Sequence, residues 1–251
     1  MSAAFVTGAS RGIGASIVQQ LMARGRHARV VAAARTATAS PALRELQQQY
    51  GADRLVAVDM DITDENSVEA AAAELGGAPC SLLVHGAAMM HPSGKGENTV
   101  RRLDKDSFSQ VMATNVIGPA LLTKALFQQL RASAKGEGAE PSKIVAIGAG
   151  VGSVGTNAAG GWYSYRVSKS ALNALMKNLA IEGGRYGVLT TTLYPEMVDT
   201  AFAQPYIKGN PYPQLRTPDE TAARMLELIE ELELADSGRF VNIWSKEDIP
   251  W

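Results

Sequence analysis

One stretch near the start constrains this chain more than any other: Val6-Thr7-Gly8-Ala9-Ser10-Arg11-Gly12-Ile13-Gly14, which follows the apolar run Ala3-Ala4-Phe5-Val6 and leads into a helical pattern. A strand that ends in a glycine-rich turn and feeds a helix gathers backbone N–H groups and the positive end of a helix dipole at one point. A phosphate suits that point. Gly8 permits the sharp turn, Gly12 leaves room for a pyrophosphate, and Gly14 lets the helix pack closely on the strand. Strand, turn and helix come in the order that a dinucleotide site requires.

The spacing Thr7-Gly8-x-x-x-Gly12-x-Gly14 resembles the short-chain dehydrogenase/reductase family rather than the G-x-G-x-x-G of larger dehydrogenases, and the resemblance can be followed along nearly the whole chain. It implies a single-domain α/β Rossmann fold over residues 1–251, a doubly wound seven-stranded parallel sheet with helices on both faces. It also implies a nicotinamide cofactor and a Tyr/Lys/Ser/Asn active site. In the glycine turn it implies cofactor contacts from Gly8, Ser10, Arg11, Gly12, Ile13 and Gly14.

Composition agrees with one domain: 251 residues, 46% hydrophobic and 20% charged, can bury one large core. A formal net charge of −1 without a long basic run argues against nucleic acid and for a small-molecule partner. The single cysteine, Cys80, cannot form an intrachain disulfide, which fits a reducing compartment. His27, His85 and His91 have no metal-ligand spacing, and no metal is expected. No run of eighteen apolar residues suggests a membrane span. A first strand beginning near Ala3 leaves no room for a leader, so the expected location is the cytoplasm.

Ile13, Ile17, Val18 and Leu21 recur at helical spacing, with a stop expected near Gly25. Residues 30–34 read as a second, fully buried strand. The residue after it is Arg35, with no acid beside it. In this fold an acidic residue there takes a ribose 2′-hydroxyl, whereas an arginine accommodates a 2′-phosphate. With Arg11 able to reach the same phosphate, the expected cofactor is NADP(H).

A helix over 41–50 and a strand over 55–58 precede Asp59-Met60-Asp61-Ile62-Thr63-Asp64. By the family resemblance, Asp61 and Ile62 lie at the adenine, Asp61 accepting from its amino group. Thr63 or Asp64 serves as N-cap of a helix carrying Val68 and Leu75. A fourth strand, 81–84, runs into His85-Gly86-Ala87-Ala88, where family members usually carry Asn-Asn-Ala-Gly. Ala87 is the implied cofactor contact, and His85 reads as structural, a hydrogen-bonding residue across the sheet.

Residues 106–132 form a long helical pattern interrupted by Asn115-Val116-x-Gly118-Pro119, which implies a local backbone distortion. The family's catalytic asparagine maps onto Asn115, whose carbonyl would hold a relay water. After a fifth strand, 143–147, the usual two serines are replaced by Gly148-Ala149, so the serine hydroxyl is missing. Ser153, Thr156 and Asn157 in the following glycine-rich loop are possible substitutes. The spacing Tyr165-x-x-x-Lys169 places both side chains on one helical face, where an ammonium would favour phenolate. Tyr165, Lys169 and Asn115 are the candidate catalytic residues. The run Gly160-Gly161-Trp162-Tyr163-x-Tyr165 onward resembles the C-factor/sniffer-like carbonyl reductase branch.

A sixth strand, 188–194, ends at Pro195-Glu196-Met197-Val198-Asp199-Thr200, similar to the family's Pro-Gly-x-Val-x-Thr. Pro195, Val198 and Thr200 are the implied cofactor contacts, with Glu196 in place of glycine. An irregular stretch through Thr217, with Phe202, Pro205, Tyr206, Pro211, Tyr212 and Pro213, reads as a substrate lid. A helix over 218–233 and a strand over 239–243 follow, and Trp251 is expected to pack on this chain or a partner. The family pattern implies a homodimer or homotetramer. The expected function is NADP(H)-dependent hydride transfer between cofactor and a carbonyl, or the corresponding alcohol. The alternative is a catalytically weak NADP-binding regulatory protein, favoured by Gly148-Ala149.

Overall fold

Short apolar runs separated by helical patterns arrange as seven parallel strands in the order β3-β2-β1-β4-β5-β6-β7. The computed structural model describes residues 2–135, 138–208 and 215–251. The strands are β1 (Ala3–Thr7), β2 (Arg29–Ala34), β3 (Leu55–Asp59), β4 (Cys80–His85), β5 (Ser142–Ile147), β6 (Val188–Tyr194) and β7 (Phe240–Asn242). The chain leaves β1 in one direction for β2 and β3, then crosses back to lay β4 on β1's other side. That reversal opens a crevice at the carboxyl ends of the strands, the usual ligand position in such sheets.

Alternation along each strand feeds two cores. Ala4 and Val6 face one, together with Ile17, Leu21 and Leu43 from α1 (Gly12–Arg24) and α2 (Pro41–Tyr50), and Met225 and Ile229 from α8 (Pro218–Glu231). Ala3 and Phe5 face the other, with Val68 from α3 (Glu65–Ala73), Leu122 and Leu126 from α5 (Gly118–Ser133) and Leu172 and Met176 from α6 (Tyr163–Gly184). Helices therefore cover both faces, as expected.

Most differences from the sequence reading lie at element ends. Helix α3 stops at Ala73, because Gly76 and Gly77 follow with φ of 58° and 79°. Leu75 is buried in the turn instead. Asp64, not Thr63, caps α3, its side chain accepting from Asn66 N. Helix α8 ends at Glu231, where Leu232 turns extended. Strand β7 is limited to Phe240–Asn242, since the Asn242 side chain accepts from Trp244 N and starts a turn.

The long pattern at 106–132 divides into α4 (Lys105–Met112), a π-helical turn (Ala113–Ile117) and α5. Pro119 has no N–H to give the carbonyl of Asn115 four residues earlier, and the ladder widens there. Gly118 is required at this crossing, because a Cβ would stand 2.4 Å from the Ile62 carbonyl oxygen. Trp251 stacks on Phe240 with ring centres 5.9 Å apart. Of the stretch read as a lid, Phe202 and Tyr206 are described, with α7 (Gln204–Ile207); Pro211, Tyr212 and Pro213 lie outside the described residues.

Candidate active site

The crevice is a cavity of about 730 Å³ that runs from the glycine turn and Arg35 at one end to Tyr165, Trp162 and Tyr206 at the other. Gly8, Ser10, Arg11, Gly12, Ile13 and Gly14 line the first end, together with Asp61, Ile62 and Ala87. The turn is a cradle that side chains would fill. A Cβ at Gly8 would stand 2.7 Å from the Gly86 carbonyl carbon and oxygen, and one at Gly14 would stand 2.3 Å from the Gly8 oxygen. Gly12 has a φ of 56° and a Cβ there would face Thr200 Cγ2 at 3.3 Å, so glycine serves backbone conformation as well as space. Arg11 precedes α1 without a side-chain cap, leaving the helix's first N–H groups toward the cavity.

A residue given no role from sequence joins this end. The buried Thr7 hydroxyl accepts from Gly86 N and Ala87 N, both at 3.0 Å, which ties the glycine turn to the end of β4. Asp61 accepts from Thr63 N (2.9 Å) and Thr63 Oγ1 (2.7 Å). These bonds hold its carboxyl below the usual range, with a smaller push from Arg35. His85 bonds to helix α5 rather than across the sheet, Nε2 to Thr123 Oγ1 at 2.9 Å. Burial brings its pKa down to about 3, so it is a neutral structural group.

At the other end Tyr165 and Lys169 share one face of α6, both almost wholly buried. Lys169 Nζ donates to Ile147 O at 2.8 Å and lies 5.8 Å from the centre of the Tyr165 ring. Burial brings the Lys169 ammonium down to about 8. The expected lowering of the Tyr165 pKa is not found in this state. Burial, and then the neighbouring Tyr194, push that phenol up, because desolvation outweighs an ammonium already engaged by Ile147.

Asn115 is buried and anchors three elements. Its Oδ1 accepts from Met89 N at 2.7 Å, and its Nδ2 donates to Met89 O at 2.7 Å and to Ser168 Oγ at 2.9 Å. The Ser168 hydroxyl in turn donates to Tyr165 O at 2.8 Å. The asparagine side chain thus fixes α6 at Ser168, the residue next to Lys169, and is itself taken up by these bonds.

Pro195, Val198 and Thr200 line the cavity beyond β6. Pro195 O accepts from Trp244 Nε1 at 3.0 Å, Val198 bridges to Arg216, and Thr200 Oγ1 accepts from Ala203 N at 3.2 Å. Glu196 adopts φ 61°, the left-handed conformation for which glycine is usual. Asn242 Nδ2 donates to its Oε1 at 3.1 Å, which helps hold that backbone.

The serine position also resolves. Ala149 lines the cavity, and Gly148 admits no side chain because a Cβ would stand 2.5 Å from Thr192 Cγ2. None of the three expected substitutes reaches the cavity. Ser153 Oγ donates to Pro250 O at 2.5 Å and is buried; Thr156 and Asn157 are exposed. Sequence reasoning missed Trp162, Tyr194, Met89 and Met90 as cavity walls. The usable signal was position: Tyr194 ends a strand, Met89 and Met90 follow one, and Trp162 caps α6.

A family model described as short chain dehydrogenase matches residues 2–210, and the chain belongs to that family of oxidoreductases. Among curated relatives, a 1-hydroxy-2-glutathionyl-2-methyl-3-butene dehydrogenase from Rhodococcus sp. (strain AD45) is 33% identical over 242 residues, 96% of each chain. Among solved structures, an NADPH-bound carbonyl reductase from chicken fatty liver superposes with a TM-score of 0.84 at 31% identity, covering 100% of this chain and 98% of the other. The C-signal protein of Myxococcus xanthus matches at 30% over 149 residues, 59% of this chain and 81% of its own.

Proposed function

We propose that the protein is an NADP(H)-dependent carbonyl reductase, or in reverse an alcohol dehydrogenase, of the C-factor/sniffer-like branch. The observation that carries this reading is Tyr165 and Lys169 on one face of α6, in the cavity that also holds the glycine cradle and both arginines. The NADPH in the chicken carbonyl reductase supports the cofactor.

The cradle fits a pyrophosphate by shape: the glycines leave it open where a Cβ would close it, and the start of α1 supplies N–H donors. Gly8, Ser10, Gly12, Ile13 and Gly14 would hold that group. Arg11 and Arg35 would hold a 2′-phosphate, with Asp61, Ile62 and Ala87 at the adenine side and Pro195, Val198 and Thr200 at the nicotinamide side. When bound, the nicotinamide supplies a hydride equivalent. Tyr165 hydrogen-bonds the substrate oxygen through its phenol and gives it the proton as that oxygen gains charge. Lys169 would hold the ribose hydroxyls of the cofactor and, as an ammonium on the same helical face as Tyr165, would stabilise the phenolate. Asn115 holds the relay water at its carbonyl while its side chain keeps α6 in place.

Trp162, Phe202, Tyr206, Met89 and Met90 make the substrate end largely apolar, which suits a carbonyl compound with an aromatic or aliphatic body. Cys80 is buried with its thiol pushed up to about 12, an unreactive group compatible with a reducing cytoplasm. Ile117, Val167 and Ile181 are exposed apolar residues on the segments carrying Asn115 and Tyr165, consistent with a homodimer or homotetramer. Ala149 favours a second reading, an NADP-binding regulatory protein with little turnover. A panel of aldehydes, ketones and quinones, followed by loss of NADPH absorbance, tests between the two. Turnover of at least one apolar carbonyl supports the reductase, and tight NADPH binding with no turnover supports the regulator.

A further inference from the structure

The cavity holds a second phenol beside Tyr165 that the family pattern does not use. Tyr194 is the last residue of β6, its backbone fixed because its carbonyl accepts from Ile243 N at 3.1 Å. Its ring lies directly against the segment that lacks the serine. A Cβ added to Gly150 would stand 3.1 Å from Tyr194 Cζ and 3.3 Å from its oxygen. Glycine at 150 therefore makes room for this tyrosine, one residue beyond Ala149.

Other nearby hydroxyls are committed elsewhere. Thr114 Oγ1 donates to Gln110 O at 2.9 Å, and Thr200 Oγ1 accepts from Ala203 N. Tyr206 is carried on α7, beyond the sheet, with its ring against Trp162. The Tyr194 hydroxyl has no hydrogen-bond partner among the described residues, although the residue is more than half buried. An unpaired polar group in a partly desolvated cavity is available to a ligand.

We propose that the Tyr194 hydroxyl supplies the second hydrogen bond to the substrate oxygen, in the place of the hydroxyl that Ala149 lacks. The inference rests on the carbonyl-reductase reading. Two phenols then converge on one oxygen: Tyr165 transfers its proton, and Tyr194 donates a hydrogen bond and keeps its own. Burial and the nearby Glu196 carboxylate push the Tyr194 phenol up, so it stays protonated as a donor through neutral pH. Tyr194 also adds to the upward push on the Tyr165 phenol, which agrees with their closeness.

The test uses the full chain with NADPH and its best carbonyl substrate. Tyr194→Phe should lower kcat by about 10- to 100-fold, somewhat less than loss of an oxyanion donor in acyl transfer because Tyr165 still donates. NADPH affinity should stay within about twofold of native. Adding Ala149→Ser to Tyr194→Phe should recover several-fold in kcat, whereas Ala149→Ser alone should add little. Binding of the product alcohol to the NADP+ complex, followed by fluorescence titration, gives a readout separate from turnover: it should weaken several-fold in Tyr194→Phe. A native kcat in a folded Tyr194→Phe, or no recovery by Ala149→Ser, overturns the role of Tyr194 and leaves the reductase reading standing. A native protein that binds NADPH and turns over no carbonyl overturns both.

Discussion

Lys169 is bound to lower the stability of the folded chain, and the amount can be worked from its burial. The side chain is 4% exposed and its charge has one hydrogen-bond partner, Ile147 O. A fall from 10.5 to about 8 corresponds to about 3 kcal/mol against the charged form. Lys169→Met keeps a long unbranched side chain and removes the charge. It also forfeits the bond to Ile147 O, at a cost of about 1–2 kcal/mol. The variant should therefore be more stable than native at pH 7 by about 1–2 kcal/mol, or roughly 2–8 °C in Tm for a chain of this size.

The sign follows from linkage. Below pH 8 both folded and unfolded native chains hold the Lys169 proton, and the full penalty is present. Between about 8 and 10.5 the folded chain has released that proton and the unfolded chain has not, so native stability gains with pH. The variant has no such gain at this site. Its advantage should be largest below pH 8 and vanish, or reverse slightly, by about 10.5. Reversible urea unfolding of both proteins at fixed protomer concentration and several pH values measures the difference. A variant less stable at pH 7, or a difference that does not change between pH 7 and 10, refutes the reasoning. Turnover should be lost in either case, a stability cost carried for function.

Three further outcomes follow from the site. NADPH should bind at least tenfold tighter than NADH, since a charge-assisted contact contributes about 1.5–3 kcal/mol before solvent screening of these exposed arginines. Arg35→Asp should abolish or reverse that preference in fluorescence titrations. Tyr165→Phe should remove turnover while leaving the NADPH dissociation constant nearly unchanged, and a native rate would show the wrong proton donor. Gly14→Ala should cost at least tenfold in NADPH affinity, since its Cβ would stand 2.3 Å from the Gly8 oxygen. Unchanged binding in a folded Gly14→Ala protein would show that the cradle is not the phosphate site.

The sheet was legible in the sequence because each buried strand is a short apolar run between turns, and the glycine turn named its own geometry. Asn115-x-x-Gly118-Pro119 marked a distortion, but not its form, a π turn, nor the close approach to Ile62, far away in sequence, that requires glycine at 118. Ser153 is ruled out as the substitute by a contact remote in sequence: its hydroxyl donates to the carbonyl of Pro250, 97 residues on. The raised Tyr165 phenol was hidden for a similar reason. The i, i+4 spacing with Lys169 is local, but burial and the contact with Tyr194 arise only when α6 meets β6. Tyr194 itself looked like the end of a strand, and only the space left by Gly150 gives it a place in the cavity.

The central claim, that Tyr165 and its neighbours direct hydride to a carbonyl carbon, is tested most directly by isotope transfer. The protein is incubated with NADPH deuterated at nicotinamide C4 and an apolar ketone, and the alcohol is analysed by mass spectrometry and proton NMR. The account predicts deuterium from one face of the cofactor on the carbinol carbon, with no incorporation when Tyr165→Phe replaces the native protein. Alcohol formed without the label on that carbon, or NADPH bound tightly with no alcohol from any carbonyl offered, would contradict it.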